Sequence, residues 1–200
     1  MRGRRGWTAL EITMGGLFVA MMAIGANITS IAPFMVIGGV PITLQTFFAI
    51  MAGLILGSRL GALSMFVYML LGLVGAPIFA QFKGGLTALF TPTFGFIVSF
   101  ILIAFIAGKM AERQRSLKMY VAASLVAMAL NYVVGTNWMY AAYLYWFEAP
   151  EGLTYSLVWS WMMVPLPKDL VLSVFAGVLG YRLEKSVVKR SAFRNREKIA

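Results

Sequence analysis

Pro92-Thr93-Phe94-Gly95-Phe96-Ile97-Val98-Ser99-Phe100-Ile101-Leu102-Ile103-Ala104-Phe105-Ile106-Ala107 is the stretch that decides what kind of protein this is. It carries no charge, opens on a proline suited to the first turn of a helix, and stops at Lys109, Glu112, Arg113, Arg115 and Lys118. A helix apolar all round has no face to turn to water, so it sits in lipid or deep in a core. Composition separates those two cases. Of the 200 residues 60% are hydrophobic and 12% charged, about half the charged fraction of a soluble domain, and mean hydropathy is +0.83. Such a chain cannot cover a surface with polar groups, so a lipid bilayer must be part of its solvent.

Working outward, the apolar runs predict six membrane helices at about 12–31, 43–56, 60–74, 92–107, 120–146 and 164–181 in a single membrane domain covering 1–200. Turn clusters separate them: Pro33 with Gly38-Gly39-Val40-Pro41, then Gly57-Ser58-Arg59, then Gly75-Ala76-Pro77. The stretch 78–91 is apolar but interrupted by Lys83-Gly84-Gly85, and reads as a loop dipping back into the protein. The first run is too long for a signal peptide and lacks an obvious cleavage site.

The basic residues orient the bundle. With the amino terminus inside, 17 Lys and Arg divide so that only Lys83 and Lys168 fall in outer segments. The rest lie in the two tails, at Arg59 and in the 109–118 segment, and the tail 182–200 is strongly basic. Another span count with intact helices mixes the two sets. The expectation is therefore an all-α, six-helix bundle with both termini cytoplasmic, in a prokaryotic cell membrane. The formal charge of +10 follows membrane topology rather than a basic face for nucleic acid, which is excluded as a partner.

An ionisable group at the centre of a membrane helix costs roughly 2.5–3.5 kcal/mol on insertion scales, so polar groups at depth are informative. Lys168-Asp169 opens the sixth helix on its outer side: either an interfacial ion pair or helix cap, or a substrate contact. Gln45, Gln81, Lys83, Thr91 and Thr93 occupy outer segments that converge on the same end of the bundle. They are joined by Phe79, Trp138, Tyr140, Tyr143 and Trp146, which serve equally as an interfacial aromatic belt. Asn131, in the fifth helix, suits an interhelical hydrogen bond. In the first helix Gly16, Ala20 and Ala23 form a small-residue stripe, fit for packing within the bundle or for docking a partner.

Absences narrow the function. There is no Cys or His, hence no thiol nucleophile, no imidazole base and no usual zinc ligand set. No phosphate-binding Gly-x-x-x-x-Gly-Lys-Ser/Thr loop, Gly-x-Ser-x-Gly elbow or acidic dyad occurs, and no cofactor is implied. A membrane-embedded enzyme lacks its catalytic pairs, and a non-transporting scaffold has no need of converging outer polar groups.

Several ordered motifs resemble the BioY family: Gly39-Val40-Pro41-Ile42-Thr43-Leu44-Gln45-Thr46, Ala52-Gly53-Leu54-Ile55-Leu56-Gly57-Ser58-Arg59-Leu60-Gly61, and Tyr68-Met69-Leu70-Leu71-Gly72-Leu73-Val74-Gly75-Ala76-Pro77-Ile78-Phe79-Ala80. Gly84-Gly85 and Thr91-Pro92-Thr93-Phe94-Gly95-Phe96 follow, so the likeness spans about 15–181. It implies the S component of an energy-coupling-factor (ECF) transporter, which captures biotin from outside. Uptake would then be driven with a membrane T component and two ATPase subunits. It also implies substrate-binding roles for Gln45, Phe79, Gln81, Lys83, Trp138, Tyr143, Lys168 and Asp169, and docking on the T component through Gly16, Ala20 and Ala23. The same fold binding another small vitamin is the neighbouring alternative. Two departures stand out. Leu172 occupies the position, three after the Asp, where the family often has Lys, and the Thr91–Phe96 motif replaces Gly-Pro-Thr-Gly-Gly-Tyr.

Overall fold

The computed structural model describes residues 7–28, 36–37, 40–41 and 43–188. The predicted end of the first helix at 31, the turn residues Pro33, Gly38 and Gly39, and most of the basic tail lie outside the described residues.

Among the described residues seven α-helices follow in order: α1 Ala9–Asn27, α2 Gln45–Leu56, α3 Ser58–Leu73, α4 Phe94–Arg113, α5 Leu117–Tyr145, α6 Tyr155–Met162 and α7 Leu166–Leu183. A two-residue antiparallel pair, β1 Val36–Ile37 with β2 Val40–Pro41, lies between α1 and α2. Short 3₁₀ segments at Ala80–Phe82 and Leu86–Phe90 fill the α3–α4 connection. Helix starts follow local chemistry. Thr8 and Glu11 form a reciprocal capping box on α1, while Ser116 and Thr154 accept the Met119 and Leu157 N–H groups at the heads of α5 and α6.

Two boundaries differ from the sequence reading. The fourth helix runs past its predicted end at 107 to include Lys109–Arg113, because Lys, Glu and Arg are good helix formers and nothing breaks the helix before extended Gln114. The segment between the fifth and sixth runs holds an extra helix, α6, which meets α7 at a 53° bend. Pro165 and Pro167 sit at that bend, where proline is tolerated in a first turn but not in a helix interior.

α1, α4 and α5 are each long and apolar enough to cross a bilayer, and the bent α6–α7 pair passes as one more span. α2 and α3, of 12 and 16 residues, rise only about 18 and 24 Å at 1.5 Å per residue. They form a tight hairpin around Gly57, whose φ of +84° a side chain would disfavour. Close packing runs through α2: a Cβ on Gly53 would lie 2.2 Å from the Ala104 carbonyl oxygen of α4. Ala49 and Ala52 of α2, Ala104 and Ala107 of α4, and Ala123 and Ala127 of α5 are likewise buried, small residues of the kind that let helices approach closely when no hydrophobic effect drives them together. Large apolar side chains instead point outward, among them Ile12, Ile24, Phe105, Val171 and Phe175. An exterior of this kind suits lipid.

Candidate functional site

A cavity of about 560 Å³ opens where the start of α2, the α3–α4 connection, α4, α5 and the start of α7 converge. That lies within the roughly 300–1,000 Å³ common for small-molecule sites. Gln45, Phe79, Gln81, Lys83, Tyr143, Lys168 and Asp169 all line it, as do Thr91 and Thr93. Seven of the eight residues picked out from the sequence thus share one space.

Trp138 is the exception. Its ring packs against Phe94 and Trp146, at centroid distances of 6.0 and 5.9 Å, and is not part of the lining. Trp146 itself donates from Nε1 to the Phe90 carbonyl, and Tyr140 packs edge-on to Tyr155. None of Trp138, Tyr140 and Trp146 is among the lining residues.

Lys168 and Asp169 occupy the first turn of α7. Lys168 Nζ approaches Asp169 Oδ1 at 2.7 Å and also donates to the Thr43 carbonyl, tying α7 to the entry of α2. The Tyr132 hydroxyl donates to Asp169 Oδ2 at 2.7 Å. The carboxylate is buried, and α7 has no side-chain cap hydrogen bond. Of the two bland roles, the ion pair is present and the cap is not. An ionised carboxylate has about four acceptor positions. Two are taken here among the described residues, which leaves capacity on both oxygens for donors from a ligand.

Gln45, the first residue of α2, is also buried. Its Nε2 donates to the Tyr68 hydroxyl at 2.9 Å, which donates in turn to the Ile78 carbonyl at 2.9 Å. This relay carries the position of α2 across α3 to the cavity loop. Asn131 forms the interhelical bonds its burial requires, accepting from Ser99 Oγ and donating to Thr46 Oγ1 at 3.2 Å. It also reaches the cavity wall, with Tyr132 beside it.

The turn 79–83 forms the opposite wall. The Phe79 ring is buried edge-on against Tyr68, and the Phe79 N–H donates to the Lys83 carbonyl at 3.0 Å. Between them Gln81 and Phe82 take φ values of 62° and 53°, a left-handed conformation costing about 1–2 kcal/mol per ordinary residue. Gln81 and Lys83 are exposed at the rim, and no ion-pair partner for Lys83 occurs among the described residues.

The sequence reading missed Tyr132 and Thr46 as lining residues. The signal for Tyr132 was periodicity: Met128, Tyr132, Thr136 and Met139 recur at helical spacing, all buried, and Tyr143 continues the line into the cavity.

The stripe on α1 faces outward. Gly16 and Ala20 are exposed, Ala23 is half-buried, and a Cβ added at Gly16 would meet nothing within 4 Å. Neighbouring Gly15, by contrast, packs against Ser64 and Leu60.

Three kinds of comparison agree with this architecture. The BioY family model matches residues 1–189. The BioYB protein of Bacillus subtilis (strain 168) is 40% identical over 192 residues, covering 95% of this chain and 94% of its own. The biotin transporter BioY of Thermotoga maritima is 33% identical over 181 residues, covering 90% and 99%. A crystal structure of the S-component for biotin from an ECF-type ABC transporter superimposes with a TM-score of 0.66 over 90% of this chain and 96% of that one, at 20% identity, and so shares the fold. By the family match along nearly its whole length and by these relatives, the chain belongs to the BioY family.

Proposed function

We propose that this chain is the biotin-binding S component of an ECF-type transporter: a transport protein, not an enzyme, that takes biotin into the cavity from outside the cell. The observation that carries the reading is the buried Asp169 carboxylate, held by Lys168 and Tyr132 in a cavity of about 560 Å³. Biotin has a ureido head with two N–H donors, an apolar bicycle and an acidic tail. Asp169 accepts from the ureido N–H groups, and each charge-assisted bond contributes ~1.5–3 kcal/mol. Phe79 and Tyr143 supply apolar wall for the bicycle, and Gln45 holds its own wall in place through Tyr68. Lys83 at the rim, or the remaining donor of Lys168, meets the tail carboxylate. Trp138, packed on Phe94 away from the lining, has no direct contact with the ligand in this reading.

In this reading α2 and α3 cross as a short hairpin and α6–α7 as a bent span, giving six spans with both termini cytoplasmic. The division of Lys and Arg supports that orientation. The chain has no nucleotide-binding motif, so two ATPase subunits and a T component supply the energy, with Gly16, Ala20 and Ala23 as the docking face. Titration calorimetry with biotin on detergent-purified protein tests the substrate. Saturable one-site binding supports it, and no heat with biotin but binding of another vitamin would move the assignment within the fold.

A further inference from the structure

Asn27, the last residue of α1, is buried and lies outside the cavity lining, yet it touches the cavity loop twice. Its Oδ1 accepts the Phe82 N–H at 2.6 Å, and its Nδ2 donates to the Ile78 carbonyl at 3.4 Å as well as to Ala23 of its own helix at 3.0 Å. One side chain therefore grips both arms of the 78–83 turn. Between those two contacts stand Gln81 and Phe82, the two non-glycine residues with positive φ among those described. A left-handed pair of this kind persists only where its surroundings over-determine it. Besides Asn27, the Phe79 N–H to Lys83 carbonyl bond closes the base of the turn and the Tyr68 hydroxyl holds the Ile78 carbonyl, while Asn27 is the one side chain among the described residues seen to bond the backbone of the left-handed pair itself. The end of α1 grips the other wall too, since the Gly25 carbonyl accepts the Leu44 N–H just before Gln45.

We propose that Asn27 is a positioning residue for ligand retention. It fixes the left-handed Gln81–Phe82 turn so that Gln81 and Lys83 stay at the cavity rim, and it thereby makes the end of α1 part of what holds the site closed. The exposed stripe of Gly16 and Ala20 lies on the same rigid helix, so a displacement of α1 by a docking partner reaches the rim through this side chain. The retention role rests on the cavity being the biotin site; the positioning of the turn does not.

Two variants separate the parts. Asn27→Ala removes both contacts, whereas Asn27→Asp keeps the acceptor for the Phe82 N–H and loses the donor. Hydrogen exchange of the peptide spanning 79–83 is followed by mass spectrometry on ligand-free protein, with peptides from the middle of α5 as the folding control. Biotin dissociation is followed by chase of tritiated biotin. In Asn27→Ala the Phe82 amide should exchange faster and biotin dissociate about tenfold faster, with association within about twofold, the effect of one lost hydrogen bond. Asn27→Asp should recover the protection and most of the retention, which a merely structural defect would not. Unchanged exchange in Asn27→Ala overturns the positioning role, and faster exchange with unchanged dissociation overturns the retention role. Failure of the unmutated chain to bind biotin, with the exchange pattern as expected, overturns the biotin reading and supports the positioning of the turn.

Discussion

Replacing Asp169 by Asn is the most demanding test of the site, because it keeps the shape and changes only what the group can accept. In the wild type both oxygens already serve donors, Lys168 at Oδ1 and Tyr132 at Oδ2, each at 2.7 Å. An amide would turn its oxygen to Lys168, which has only donors to offer, and its nitrogen to Tyr132, whose hydroxyl can rotate and accept. The fold is therefore little disturbed, and thermal stability in detergent should stay near wild type. The ligand sees a different surface. One face that accepted a ureido N–H now presents an N–H, and the other is a neutral acceptor in place of a charged one. One charge-assisted bond is lost and a ligand donor is left unpaired, together roughly 2–4 kcal/mol. That is about 30- to 1,000-fold in affinity at 1.4 kcal/mol per decade. Titration calorimetry with biotin reads it directly. An affinity within about threefold of wild type would refute the assignment of Asp169 as the ureido acceptor.

Tyr132→Phe removes one donor to the same carboxylate without touching its charge, so biotin binding should weaken by about 1 kcal/mol, roughly fivefold, in the same titration; a loss as large as that of Asp169→Asn would mean that the hydroxyl contacts the ligand itself. The chain has no Cys, which makes single-cysteine labelling clean. Cysteines at Gln81 and at Glu151 should react with an impermeant reagent in intact cells, and one at Arg115 should not, since labelling at Arg115 from outside would sink the six-span orientation. Ala20→Trp should lower uptake in cells that also make the T and ATPase subunits while leaving biotin affinity within about twofold, because Ala20 faces away from the cavity; full uptake would show that the stripe is not the docking face.

Membrane character and helix positions were legible because they depend on what a single segment can do. A charge-free run such as 92–107 has few alternatives, and polar clusters mark where such runs end. α6 escaped notice because Tyr-Ser-Leu-Val-Trp-Ser-Trp-Met is short and aromatic, and reads like the interfacial belt that flanks any span. The Lys109–Arg113 turn was misread for the opposite reason. Charge ends only the lipid-facing part of a helix, and α4 continues through it to Arg113.

The site was legible only by halves, and the division has a physical cause. Burial of a polar side chain in an apolar bundle is costly without a partner, so Gln45, Asn131 and Asp169 announce by their mere presence that partners exist. Which partners they are depends on pairings across helices: Asp169 with Tyr132 from 37 residues away, Asn131 with Thr46 from 85, and Asn27 with Phe82 from 55. No local pattern encodes such pairings. Asn27 is the clearest case, since its segment reads as the fading end of an apolar helix, and the partner that uses its acceptor is a backbone N–H, which every residue but proline carries. The demand for a partner is thus written in one residue type, while the partner leaves no mark in sequence at all. That is why residues that line the cavity could be picked out from the chain, and Asn27, which bonds to the turn beside them, could not.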